Sequence, residues 1–345
     1  MKTALKFLVV LWLWLLGAAS ASALPFSSLY VFGDSLSDTG ASDSSVLSLY
    51  KLMNQCSAFH NCPPYADARF SNGRTAAEYL AAAILPGGVT PSNFQSYAIG
   101  GATTGIGNIA DNGSTTSVGS QGAPGMAAQL ALYQSTLGTA GKADPNALYF
   151  IWGGANDFIA QGSPIAAAGN IAGYVGMLAA AGATHIMVPN LPDLSQTPRF
   201  LDPDLRTPES AMLQGLAAQF SAAFNATLPG LLDAVELATG ADIITVDTYS
   251  VLASIPLGTH NPGFTNKSDT CLNWSVTGEA LICGTPDAYV FWDYEHPTTA
   301  AHALLGSAFA AALIPEPGTS ALLALSLLAL PLASRKHARA QRQPG

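Results

Sequence analysis

The chain predicts an α/β fold, a three-layer α/β/α sandwich around a mainly parallel sheet, and three observations carry that prediction. Short apolar runs of strand length alternate with longer stretches of helical spacing, the order in which βαβ units are built. The run 147–152 is apolar throughout, as a strand covered on both faces must be. Only 10% of residues are charged and 49% are hydrophobic, which supplies enough apolar surface for one large core.

Taken in order, the first strand, 29–32, runs straight into the small-residue turn Gly33-Asp34-Ser35-Leu36-Ser37-Asp38. Such a junction lifts one hydroxyl above the carboxyl edge of a parallel sheet, and Ser35 is that hydroxyl. Residues 38–61 read as a polar excursion with a helix over 46–53. Pro63-Pro64-Tyr65 and Arg69-Phe70-Ser71-Asn72-Gly73-Arg74 then lead into a helix over 75–83, and loop segments of this kind shape the mouth of a site. A short strand over 96–99 ends in Gly100-Gly101, where a glycine lets a backbone N–H approach a reacting oxygen. The Gly-, Ser- and Thr-rich stretch 103–125 reads as a long surface loop. Strand 147–152 delivers Gly153-Gly154-Ala155-Asn156-Asp157 to the same edge as Ser35. A helix over 165–181, strand 185–189, helix 209–239, strand 243–246 and a last helix over 300–313 complete the pattern.

Charge narrows the partners. The chain has 13 basic and 22 acidic side chains, and without the two ends residues 24–314 keep 7 and 21 of them. A surface that acidic repels nucleic acid. Both ends read as targeting segments. Lys2 and Lys6, an apolar run over 7–16 and Ala21-Ser22-Ala23 have the three-part plan of a secretory signal, so 1–23 is expected to be removed. Four cysteines fit an exported protein, with Cys56 pairing Cys62 and Cys271 pairing Cys283 as the expected local bridges.

The serine turn, the Asn156-Asp157 block and the late Asp293-Tyr294-Glu295-His296-Pro297-Thr298 together resemble the GDSL, or SGNH, family of serine esterases and lipases. The resemblance spans residues 28–313 and implies a flavodoxin-like strand order and ester hydrolysis without a metal or organic cofactor. Acyl transfer needs a nucleophile, a base, an orienter for the base and donors for the oxyanion. Ser35 is the nucleophile. His296 is the base, because it alone among His60, His185, His260, His296 and His302 sits near a carboxylate in a turn that starts a helix. Asp293, three residues earlier, orients its ring. The resemblance implies the oxyanion donors: the N–H groups of Ser35 and Gly101 and the amide of Asn156. Asp34 and Asp157 are read as orienters of the loops, Glu295 as pointing to solvent, and His302 as a surface or packing residue. The loop after the serine departs from the family's Asp-x-Gly-Asn, having Asp38-Thr39-Gly40-Ala41.

Pro315-Glu316-Pro317, an apolar stretch over 321–333 and the basic residues Arg335, Lys336, Arg339 and Arg342 resemble the PEP-CTERM sorting signal of Gram-negative bacteria. This implies contact with export and sorting machinery, transient membrane anchoring by 315–345, and delivery to the cell surface or its matrix. The hydrolase domain is then 24–314. The same triad would serve an acyltransferase. A metal-dependent phosphoesterase could be drawn from Asp34, Asp38, Asn156, Asp157 and His296, though the histidine spacings of such sites are missing. A non-catalytic polysaccharide-binding protein could use Trp274, Tyr289, Phe291 and Trp292. The ester substrate is open among short acyl groups, lipids and acylated polysaccharide, with a shallow site under polar loops favouring the short ones.

Overall fold

The computed structural model describes residues 26–53, 63–201, 208–255 and 263–314. The signal and tail segments, Cys56, Cys62, His60 and His260 lie outside the described residues. Residues Pro25–Ala312 form one compact unit, to which every element below belongs.

Its centre is a five-stranded sheet of β1 (Leu29–Gly33), β2 (Phe94–Ser96), β3 (Leu148–Trp152), β4 (His185–Pro189) and β5 (Asp242–Val246), in the order β2-β1-β3-β4-β5. All pairs are parallel, with Leu29 opposite both Phe94 and Leu148 and Gly33 opposite Trp152. This is the flavodoxin-like order, in which ligands meet the carboxyl ends of the strands. The helices are α1 (Leu49–Met53), α2 (Ala76–Ile84), α3 (Met126–Thr136), α4 (Ala155–Ile159), α5 (Pro164–Ala181), α6 (Pro198–Leu201), α7 (Pro208–Thr239), α8 (Thr248–Ala253) and α9 (Thr299–Ala312).

The period-2 geometry of β3 divides the core between two helical layers. Tyr149 and Ile151 join the cluster built with Leu130, Ile171, Val175, Phe220 and Phe224 of α3, α5 and α7. Phe150 and Trp152 point the other way and pack on Phe309 of α9. Every residue of β3 is buried.

Several expectations are corrected. The second strand is Phe94–Ser96, not 96–99; Tyr97 and Ile99 still donate to Val31 and Gly33 at 2.8 and 3.3 Å, but the chain is already bending towards its glycine turn. The helix expected from 46 begins at Leu49, because Ser45 and Val46 pair with the edge residue Ser96. Stretch 103–125 is a loop whose outer part, 114–122, reaches the surface as expected, but its inner side does not: Thr103, Thr104, Asn108 and Asp111 are buried and bonded into a knot. Within it, Asp111 accepts from the backbones of Gln121 and Ala123, both at 2.9 Å. Helix α3 was not expected, because its inward positions Met126, Gln129, Leu130 and Tyr133 include a glutamine that breaks the apolar stripe. Residues 266–291 add two small ribbons, β6 (Asn266–Thr270) with β9 (Tyr289–Phe291) and β7 (Leu272–Trp274) with β8 (Ala280–Ile282). The Cys271–Cys283 disulfide ties the second ribbon. Phe291 and Trp292 are buried, so they share no open aromatic face with Trp274.

Candidate active site

Strand β1 ends at Gly33, where a Cβ would lie 2.3 Å from the carbonyl oxygen of Trp152, closer than any side chain tolerates. The buried amide of Gln129 binds the N–H and C=O of Gly33 at 2.9 and 2.7 Å and fixes the end of the strand. Beyond it the turn closes on Asp34, whose Oδ1 accepts the Leu36 N–H at 3.0 Å and whose carbonyl accepts the Ser37 N–H at 3.1 Å. Asp38 Oδ1 accepts the N–H of Gly40, and its Oδ2 accepts those of Leu49 and Gly100, at 2.8, 3.0 and 2.8 Å. One buried carboxylate thus gathers the serine loop, the start of α1 and the glycine turn.

On the other side of the site, Asp293 folds its own turn. Its Oδ1 accepts the N–H groups of Glu295 and His296 at 2.9 and 2.8 Å, a side-chain mimic of a backbone turn. That fold swings the imidazole back, so that Nδ1 lies 2.8 Å from Asp293 Oδ2 and 2.9 Å from Oδ1. With Nδ1–H donating to the carboxylate, Nε2 is left as an acceptor, 2.9 Å from Ser35 Oγ. Burial alone would lower the imidazole, but the charge and hydrogen bond of Asp293, helped by the charge of Asp34, hold it above its ordinary value. Ser35, His296 and Asp293 therefore stand in one relay.

The three oxyanion candidates differ in their engagement. Gly100 N–H is taken by Asp38, while the N–H groups of Ser35 and Gly101 make no hydrogen bond among the described residues. Gly101 has φ +78°, and its Cβ position would meet Asn108 Oδ1 at 2.3 Å, so the turn requires glycine. Asn108 Nδ2 holds the carbonyl of Gly100 at 2.8 Å. Asn156, on α4, spends one amide hydrogen on the carbonyl of Ala102 at 3.0 Å and keeps the other. Ser35, Asn156 and His296 line one cavity; Gly101 and Asp293 are not among its walls.

The neighbouring acids hold loops. Asp157 accepts the N–H and the hydroxyl of Thr104 at 2.8 and 2.6 Å, tying the 103–125 knot to α4. Burial pushes Asp34 up to about 7, and Asp38 and Asp157 up to about 6. With both oxygens of each committed to backbone or hydroxyl donors, Asp38 and Asp157 make poor metal ligands. Among the described residues no three His, Cys, Asp or Glu side chains converge as a metal site.

Some readings of single residues change. Glu295 does not simply face solvent, since it pairs with Arg199. His302 is fully buried, accepts the N–H of Ala76 at 3.2 Å and is pulled down to about 3 by burial. Two residues read as shaping the mouth touch the relay instead. The Tyr65 hydroxyl donates to Asp293 Oδ2 at 2.9 Å. The ring of Phe70 lies 5.0 Å from that of His296, and a Cβ on Gly100 would strike it at 2.1 Å. Their signal was present in Pro63-Pro64-Tyr65 and Arg69-Phe70-Ser71; Gln129 and Asn108 had none.

In place of a shallow site, the structure has a cavity of about 1230 Å³. Leu36, Phe158, Phe200, Leu213, Leu216 and Phe220 supply much of its apolar wall. Its volume exceeds the roughly 300–1,000 Å³ of ordinary small-molecule sites.

A parallel sheet whose carboxyl edge carries a serine, an imidazole and a carboxylate in relay has the layout of an α/β acyl hydrolase. The chain belongs to the GDSL-like Lipase/Acylhydrolase family, whose model matches residues 29–309. It is 29% identical over 343 residues to the Pseudomonas putida "Uncharacterized protein in trpE-trpG intergenic region", covering 86% of this chain and 52% of that protein. With the thermolabile hemolysin of Vibrio parahaemolyticus it shares 27% over 294 residues, 78% of this chain and 60% of the hemolysin. The chain thus spans about half to three fifths of the length of these curated relatives. Among solved structures, a lipolytic G-D-S-L family protein from Veillonella parvula aligns at 12% identity and a TM-score of 0.39, over 81% of this chain and 94% of that one.

Proposed function

We propose that the protein is an exported serine ester hydrolase that forms an acyl-enzyme on Ser35 and accepts long acyl chains. The observation that carries this reading is the relay: Ser35 Oγ at 2.9 Å from His296 Nε2, and His296 Nδ1 at 2.8 Å from Asp293. Ser35 Oγ attacks the ester carbonyl carbon as His296 takes its proton. Negative charge gathers on the carbonyl oxygen, and its donors are the N–H groups of Ser35 and Gly101, unbonded among the described residues, and the spare hydrogen of Asn156. Collapse breaks the bond to the alcohol, which leaves with the proton from His296. Water then gives a proton to His296, attacks the acyl-enzyme and releases the carboxylic acid, restoring Ser35. The scheme calls on no cofactor.

The acyl preference rests on the cavity. A wall of Phe158, Phe200, Leu213, Leu216 and Phe220 rewards each buried methylene by about 0.8 kcal/mol, which an acetyl group cannot use. Export is supported by the Cys271–Cys283 disulfide, which fits an oxidising compartment, and by the signal and sorting patterns of 1–23 and 315–345. Delivery to the Gram-negative cell envelope rests on those patterns alone.

The test is hydrolysis of p-nitrophenyl acetate, butyrate and palmitate, with and without chelator, beside Ser35→Ala. The expected result is chelator-resistant activity whose kcat/KM rises with chain length and falls roughly 10⁴- to 10⁶-fold in the variant. Equal activity in both proteins would sink the assignment of Ser35, and a preference for acetate would sink the long-chain reading.

A further inference from the structure

We propose that Tyr65 is a positioning residue of this reaction, holding the Asp293 carboxylate and setting how strongly it pulls on the His296 proton. The inference rests on the serine mechanism above and goes beyond it to a residue far from the relay in sequence. Asp293 Oδ1 accepts two backbone N–H groups and Oδ2 accepts the Tyr65 hydroxyl at 2.9 Å, while the imidazole N–H bridges both oxygens. A carboxylate offers about four lone-pair directions, so Tyr65 fills the last one. It does so on the oxygen that is nearer to the imidazole.

Tyr65 is itself fixed. It is 9% exposed and its ring meets the edge of Trp292, the residue directly before Asp293. Behind it, Trp292 packs in one cluster with Leu272 and Cys271 of the disulfide-tied ribbon. Burial, and then the charge of Asp293, push the phenol above its ordinary value, so the hydroxyl keeps its proton and remains a donor at any working pH.

Without that hydroxyl, one lone pair of Asp293 loses its donor in a pocket where its side chain is only 13% exposed. Oδ2 then loses the contact that aims it at Nδ1, and the carboxylate's undiluted charge favours imidazolium more strongly. Both consequences act on His296. Its charged and titratable surroundings are otherwise constant: Asp34 from the serine turn, His302 from α9, and the Arg199–Glu295 pair from α6 and its own turn.

The experiment compares wild type, Tyr65→Phe and Ser35→Ala on a p-nitrophenyl ester across pH. Tyr65→Phe is expected to lower kcat roughly 10- to 100-fold with KM little changed. The acid limb of its kcat/KM profile, which reports the free imidazole, moves to higher pH. A purely structural role would lower the rate without moving the limb, and that outcome overturns the proposal, as does an unchanged kcat. Placing 3-fluorotyrosine at 65 keeps the hydroxyl and the fold while making a stronger donor, so the limb shifts to lower pH; a limb that stays or rises also overturns it. In the Ser35→Ala background, an NMR titration of His296 with and without Tyr65→Phe reads the same shift without turnover. Full activity in Ser35→Ala would instead refute the serine mechanism, a failure separate from that of Tyr65.

Discussion

Asp34 and Asp293 flank the same imidazole and are held in opposite ways. Asp34, next to Ser35, is 1% exposed; its Oδ1 has one backbone donor and its Oδ2 has no hydrogen bond among the described residues. Both oxygens of Asp293 are covered by backbone, tyrosine and imidazole donors. Donors to the charged form favour it, so a buried carboxylate short of donors takes up a proton more readily than one met by several. On the serine side burial pushes Asp34 up to about 7, and Asp38 and Asp157 only to about 6, donors meeting both oxygens of each of those two. On the histidine side the proposed orienter sets both oxygens within hydrogen-bond reach of His296 Nδ1.

The sharpest way to break that contrast is Asp293→Asn. The side chain keeps its shape, but its NH₂ cannot accept from Nδ1–H, which favours the wrong tautomer of His296. A loss of roughly 10⁴-fold in kcat is expected, measured by steady-state hydrolysis with the fold checked by circular dichroism. A loss below tenfold would mean that the charge on the histidine side matters no more than those on the serine side.

Asp38→Ala asks the reverse question, whether a serine-side acid matters through its bonds. The substitution strands three buried N–H groups, those of Gly40, Leu49 and Gly100. Each unsatisfied donor costs about 1–3 kcal/mol, so a destabilisation of at least about 3 kcal/mol is expected in urea unfolding. A stability near wild type would show that water replaces the carboxylate and that the loop does not depend on it.

The same contrast explains what could be read from the residues alone. That Ser35, Asp293 and His296 come together was legible from the family resemblance, with two local signals beside it: a strand running into a small turn, and an Asp three residues before a His. The parallel sheet was legible because apolar runs and helical spacings alternate, and its strand order from the family resemblance. Gln129 and Asn108 were not, and Tyr65 only as a residue of the mouth, because each acts on a partner that pattern does not reveal. Gln129 binds a backbone 96 residues away, and Tyr65 a carboxylate 228 residues away. Asn108 binds the carbonyls of Gly100 and Pro124, and its polar, glycine-rich surroundings look like solvent-facing chain until they fold inward. Composition marks such a stretch as a loop, but whether its backbone groups bond to water or to one another depends on the rest of the fold.

The smallest expected effect tests the protonation of the serine side directly. Between about pH 4 and 6 the folded chain holds protons on Asp34, Asp38 and Asp157, which unfolded carboxyls with their ordinary value of 3.8 have released. These three acids make stability fall as pH rises through that window, and Asp34 extends the fall to about 7. Buried His302 works the other way. Pulled down to about 3 by burial, it is neutral in the folded chain over a range where an unfolded imidazole is charged, so its contribution is lost as pH falls. Three protons bound against one released leave a net decline in stability from pH 4 to 6. Replacing Asp34 by Asn removes one of the three, and the fall should become shallower by about 1.4 kcal/mol per pH unit, read from urea midpoints at a series of pH values. An unchanged slope would mean that Asp34 is ionised throughout. Its unpartnered oxygen would then have to be met by a donor from solvent, and the two sides of the site would hold their carboxylates by the same means.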